Sequence, residues 1–277
     1  MLRKVMFDSS CVYGVVSPEL EQGLAKQLPK MGRKCIYYTG PYLRMEFLRV
    51  WIVTGIKIYF RAYVEGDVAS TFQYFSNKFG REAKIALHWA TRYIKSRESD
   101  DITESVEQLG WEVVSLALIY DKIFRTYVQP KTGCTRGETP MNFETETRKD
   151  MLRNFYRRFM SPSHTCKIES LLNLQSGCPK LRKVRDADSS KLASERRKGF
   201  MKLQQQLETL IKKASVPTCD TCSKIGDLII ALEQPPKTVL YHTDHAFSVI
   251  CPLLNHAHQQ VKSALRLEPR IPKELAS

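Results

Sequence analysis

Nothing in this sequence is apolar for long enough to cross a bilayer. The longest apolar stretch, near Val113–Tyr120, is broken by Ser115 and falls far short of the ~20 residues a spanning helix needs. Cysteine is sparse: eight residues among 277 are too few for a disulfide scaffold. They are expected to be thiols or metal ligands in a reducing compartment. Acids are outnumbered, with 29 Asp and Glu against 43 Lys and Arg, and the formal net charge is +14. That excess favours a polyanionic partner. The opening MLRKVMFDSS places Asp8 where a signal peptide needs its apolar centre, so a cytoplasmic protein is expected. No fixed-period repeat is visible, which argues against a solenoid.

What is present divides the chain into unlike parts. Val5-Met6-Phe7 reads as a short buried strand that stops at Asp8 and a small polar turn, Ser9-Ser10. Residues 18–28 read as a helix and 35–38 as a second strand. Pro41 then opens a long helix, with Leu43, Phe47, Val50 and Thr54 on one stripe. Near the other end, Ile225, Leu228, Ile229 and Leu232 form a helical stripe that stops at Pro235-Pro236. Val239-Leu240-Tyr241 is a strand running into Thr243-Asp244, and a helix over 246–254 follows. Between residues 65 and 215 the patterns are helical (67–79, 81–98, 103–126, 145–160 and 190–214) with almost no strand signal. The expected fold class is therefore α/β: residues 1–64 plus 216–277 form the core, and 65–215 form a mainly helical, basic insertion.

Four acids of the core occupy unusual places. Asp8 and Asp244 stand at the ends of apolar strands, where α/β folds place their ligands. Asp227 lies in the first turn of a helix, off its apolar stripe. Glu46 flanks the stripe of the long helix. Carboxylates gathered in one cleft repel one another, and a divalent cation relieves that repulsion. Oxygen ligands suit Mg²⁺ or Mn²⁺. Such a cluster beside a basic surface points to metal-dependent phosphodiester hydrolysis. Taken singly, each acid also has an ordinary reading as a helix cap or a solvated helical residue.

The ordered set Asp8-Ser9-Ser10, Glu46 on a helix, Gly226-Asp227-Leu228-Ile229-Ile230-Ala231-Leu232 and Thr243-Asp244-x-x-Phe247 resembles the PIN-domain nucleases. The resemblance covers about residues 1–64 and 216–270 and leaves the insertion unmatched. It implies a central parallel sheet flanked by helices, and acids that bind Mg²⁺ or Mn²⁺ to cleave RNA. Asp8, Glu46, Asp227 and Asp244 would be the catalytic and metal-binding residues, with Ser10 placing a phosphate or water. The family often carries a hydroxyl residue two positions before the last acid. Here that position is His242, and Thr243 adjoins the acid instead.

The basic residues concentrate in 179–213, which hold eleven Lys or Arg against four acids. Lys180, Arg182, Lys183, Arg185, Arg196, Arg197 and Lys198 are the candidate contacts to a phosphate backbone. Arg148, Lys149, Arg153, Arg157 and Arg158 form a second basic face. There Phe155, Tyr156 and Phe159 would either stack on bases or fill the core. Cys219-x-x-Cys222 reads as reduced thiols near a turn, or as half of a structural zinc site completed from His164, Cys166 and Cys178. Cys11, Cys35 and Cys251 read as small core residues, and His242 and His245 as turn histidines or added metal ligands. RNA is the expected partner, with DNA open, no membrane, and a regulatory protein or second copy as a further candidate. The expected function is a metal-dependent endoribonuclease. The alternatives are a non-catalytic RNA- or DNA-binding protein and a toxin-like protein controlled by a partner.

Overall fold

A computed structural model of the chain describes residues 3–17, 25–29, 35–78, 81–96, 102–126, 135–140, 147–164, 179–190, 192, 194–213 and 224–261. Among the described residues five short strands form one sheet: β1 (Arg3–Phe7), β2 (Cys35–Thr39), β3 (Arg125–Thr126), β4 (Thr238–His242) and β5 (His258–Gln260). Their order is β3-β2-β1-β4-β5 and every pairing is parallel. The central strand explains itself: Val5, Met6 and Phe7 are all fully buried. A parallel strand covered on both faces reads as a continuous apolar run, not as an alternation. Val5 pairs with Tyr37 on one side and Val239 on the other.

The helices follow from the same local rules. Asp8 caps α1 (Ser9–Val16), its side chain accepting the N–H of Cys11. Pro41 sits at the first helical position of α2 (Pro41–Phe47). The helical run continues through a π-helical turn, Leu48–Ile52, into α3 (Val53–Glu65). It stops at Gly66, which adopts φ 67°, a left-handed value that glycine accepts most easily. In that run Leu43, Phe47 and Val50 are buried as the stripe requires. The π-turn carbonyl of Trp51 accepts the indole N–H of Trp89 at 3.1 Å. Asp67 caps α4 (Val68–Ser76) with bonds to Ala69 and Ser70. Then come α5 (Arg81–Ser96), α6 (Ile102–Ile123), a 3₁₀ turn (Thr135–Glu138), α7 (Arg148–Phe159), α8 (Pro179–Arg185), α9 (Ser194–Lys213), α10 (Gly226–Leu232) and α11 (His245–Leu253).

Two elements had no signal in the sequence, the two- and three-residue strands β3 and β5. Helix α1 is the one that the helix-cap reading of Asp8 implies, and α8 lies in residues to which no element was assigned. Strand β3 also places a piece of residues 65–215 inside the sheet. Helices α3 to α7 share a single hydrophobic cluster with β1, β2 and β4. Rings carry that continuity: Phe47 stacks on Tyr120 at 4.3 Å, Tyr120 on Phe124 at 4.8 Å, and Phe124 meets Phe7 edge-on at 6.0 Å. Helices α8 and α9 pack against each other and onto α11, burying Leu181, Val184, Phe200, Leu203, Leu207 and Leu210. The helix read over residues 18–28 lies largely outside the described residues. Among the described residues no helix is long and apolar enough to cross a membrane.

Candidate functional site

The strand order reverses direction at β1. The chain moves outward through β2 and β3, then returns on the opposite side of β1 with β4 and β5. Such a reversal opens a crevice beyond the carboxyl ends of the two strands at the switch, here β1 and β4. Asp8 follows β1 directly and Asp244 follows β4 by two residues.

Asp8 is buried, at 4% exposure, and strongly hydrogen-bonded. Its Oδ1 accepts the N–H of Cys11 at 2.7 Å. Its Oδ2 accepts the backbone N–H of Thr243 at 2.9 Å and the Thr243 hydroxyl at 3.2 Å. The hydroxyl in this part of the crevice thus comes from Thr243 beside the acid. His242 is fully buried, with Nε2 3.0 Å from Nδ1 of His258. Burial pulls the His242 pKa down, against the opposing pull of the nearby Asp8 charge. Burial, then the charge and hydrogen bond of Asp8, push the Cys11 thiol upward. Cys251, also buried, is pushed up to about 12. Both cysteines and the half-buried Cys35 are unpaired, in keeping with small apolar fillers.

Asp244 is exposed and caps α11, its Oδ1 accepting the N–H of Ala246 at 2.8 Å. Asp227, half-buried in the first turn of α10, shares a cavity of about 310 Å³ with Asp244. Lys224, Ile225, His245 and Val249 also line it, and α9 closes it with Phe200 and Leu203. The fold therefore brings Asp227 and Asp244 to one space and ties Asp8 to the turn that carries Asp244. It does not bring Glu46 there. That residue is half-buried on α2 and does not line the cavity, nor does Ser10, half-buried in the first turn of α1.

The two helices carrying Glu46 and Asp227 are nevertheless joined. Glu233, just past the end of α10, is buried and accepts the N–H of Tyr42 at 2.9 and 3.1 Å. Burial pushes its pKa up to about 8, against the hydrogen bonds from Tyr42 and Leu43. Gly40 is required beside it, because a Cβ there would overlap the Glu233 carboxyl. Nothing in the sequence marked Glu233, since its partners lie 191 positions away.

Among the described residues no group of three or more His, Cys, Asp or Glu side chains is placed to hold one metal ion. Two carboxylates facing one cavity do fit Mg²⁺. That ion keeps several waters and is held by one or two carboxylates together with substrate phosphates.

The basic surface is more selective than its sequence. Lys180, Arg182 and Lys183 on α8 are exposed, as are Arg197, Lys198 and Lys202 on α9. Arg185 is half-buried and paired with Asp186 at 2.6 Å. Arg197 also reaches the carbonyls of Ser189 and Leu192 at 3.2 Å, bracing the α8–α9 connection. The Arg196 side chain lies outside the described residues. On α7, Phe155 and Phe159 are fully buried and stacked on each other at 5.9 Å, so neither is available to a base. His164 hydrogen-bonds the carbonyl of Arg158 at 2.7 Å. Cys166, Cys178, Cys219 and Cys222 lie outside the described residues, and with them the zinc reading. The chain matches no model of a known family, no curated protein and no solved structure.

Proposed function

We propose that the chain is a metal-dependent endoribonuclease whose site is the crevice between β1 and β4. One observation carries this reading: Asp227 and Asp244 line one cavity, and Asp8 holds the turn that carries Asp244, beside a helical hairpin rich in exposed cations. Asp227 and Asp244 would hold Mg²⁺ or Mn²⁺ in the cavity they share. When bound, such an ion polarises phosphoryl oxygens and lowers the pKa of an attacking water. The protein's own groups do the rest. Asp8 fixes the 243–244 turn through two hydrogen bonds, so Asp244 is presented by rigid backbone. Lys180, Arg182, Lys183, Arg197 and Lys198 draw in the phosphate backbone. Glu46 stands outside the cavity and receives no ligand role.

The test is RNA cleavage with Mn²⁺ by the parent and Asp244→Asn proteins. Asparagine caps a helix as well as aspartate does, so folding is preserved. Cleavage is expected to fall by about 100-fold or more, with RNA binding retained. A parent chain without metal-dependent cleavage, or an Asp244→Asn chain as active as the parent, removes the proposal. A second reading, a non-catalytic RNA- or DNA-binding protein on the same scaffold, draws support from the two-acid cavity. It predicts salt-sensitive RNA binding and no heat of Mn²⁺ binding by calorimetry.

A further inference from the structure

The cavity that Asp227 and Asp244 share is not wholly acidic. Phe200 and Leu203 from α9, Ile225 ahead of α10 and Val249 from α11 give it apolar walls. At about 310 Å³ it sits at the small end of ligand-site volumes. Gly199 adds a second, independent observation. It lies inside a twenty-residue helix, where glycine is unfavourable relative to alanine. Packing does not demand it, because a Cβ built there meets no atom within 4 Å. Yet Gly199 lines the cavity, so the missing side chain leaves space at its wall. On the same helix Arg197, Lys198 and Lys202 are exposed.

We propose that this cavity is a nucleobase subsite that takes the base of one unpaired nucleotide. A base has flat apolar faces and a polar edge, and the cavity offers both kinds of surface. Val249 and the edges that the otherwise buried Phe200 and Leu203 show to the cavity meet the faces. The carboxylates of Asp227 and Asp244, each able to accept several hydrogen bonds, meet the edge and the sugar. The cations of α9 hold the strand that carries the base. The subsite rests on the nuclease reading only for what lies beside it, the phosphate to be cleaved. Base recognition itself needs no metal.

The experiment uses the full chain in EDTA, titrated separately with adenosine, cytidine, guanosine, uridine and ribose. Binding is followed through the backbone amide resonances of Ala246 and Val249. At least one nucleoside is expected to saturate those shifts and to bind about 10-fold or more tightly than ribose, through the apolar area its base buries. Gly199→Leu fills the open space and is expected to weaken that nucleoside about 10-fold, with Tm unchanged or higher. Nucleosides that behave like ribose overturn the subsite, and that comparison needs no variant. A folded Gly199→Leu protein that binds nucleoside as the parent does also overturns it. Nucleoside binding in a protein that never cleaves RNA with Mn²⁺ upholds the subsite and removes the nuclease reading. Cleavage without nucleoside binding does the reverse.

Discussion

Asp8 Oδ2 accepts both the N–H and the hydroxyl of Thr243, at 2.9 and 3.2 Å, joining residues 235 positions apart. With Cys11 on Oδ1, the carboxylate is met by donors from three directions. An amide in its place turns an NH₂ group toward one of them. Asp8→Asn is therefore expected to lower stability by about 2 kcal/mol, read by urea unfolding. Thr243→Val removes only the hydroxyl bond and is expected to cost about 1 kcal/mol. An Asp8→Asn protein as stable as the parent shows that this staple holds nothing.

Glu233 predicts a pH dependence. Its pKa in the fold is about 8, raised above the ordinary 4.5 by burial. The folded chain therefore binds this proton more tightly than the unfolded chain. The stability it contributes is complete below pH 4.5 and is lost as pH rises toward 8. Glu233→Gln keeps an acceptor for Tyr42 without the charge. Its unfolding free energy should exceed the parent's by a gap that widens from pH 5 to pH 8, reaching on the order of 3 kcal/mol. Buried His242 and half-buried His256 and His258, with lowered pKa values, titrate in both proteins and cancel in the difference. A gap that stays constant with pH refutes the assignment.

Arg44 is a buried cation with a spread of partners. Its guanidinium reaches Asp121 at 3.2 Å, Thr139 O at 2.9 Å and Gly137 O, pinning the 3₁₀ turn to α2 and α6. Arg44→Met leaves those acceptors without their donor. A loss of about 3 kcal/mol is expected, along with faster proteolysis within 135–140. Arg44→Lys should recover only part, because one ammonium cannot reproduce the planar fork.

Salt dependence tests the basic hairpin. Replacing Lys180, Arg182 and Lys183 together with alanine should flatten the slope of log affinity against log salt for single-stranded RNA by about 2. Fluorescence anisotropy at several salt concentrations measures it. Arg185→Ala should change the slope less, because Asp186 already occupies that guanidinium. An unchanged slope in the triple variant places the RNA elsewhere.

The sheet's core strands were legible because burial on both faces leaves an apolar signature that few other elements share, as at Val5-Met6-Phe7. The helices of 67–126 were legible from their period. Strands β3 and β5 were not: two or three residues carry no period, and pairing with β2 and β4 alone makes them strands. Phe155 and Phe159 looked equally suited to stacking and to packing, since helical spacing is the same for both. The structure chose packing.

The order of residues fixes which segments prefer helix or strand, where the positive charge collects, and which acids follow apolar strands. Those properties are local, fixed by side-chain size, polarity and spacing within a turn or two. Folding brings Asp227 and Asp244 to one cavity and leaves Glu46 outside it. It alone set the Glu233 carboxylate against the Tyr42 N–H, and brought Phe200 and Leu203 to the same cavity as the acids. These are meetings between segments up to 235 positions apart. They arise when separate apolar faces are buried together, and no short stretch of chain records which faces will meet.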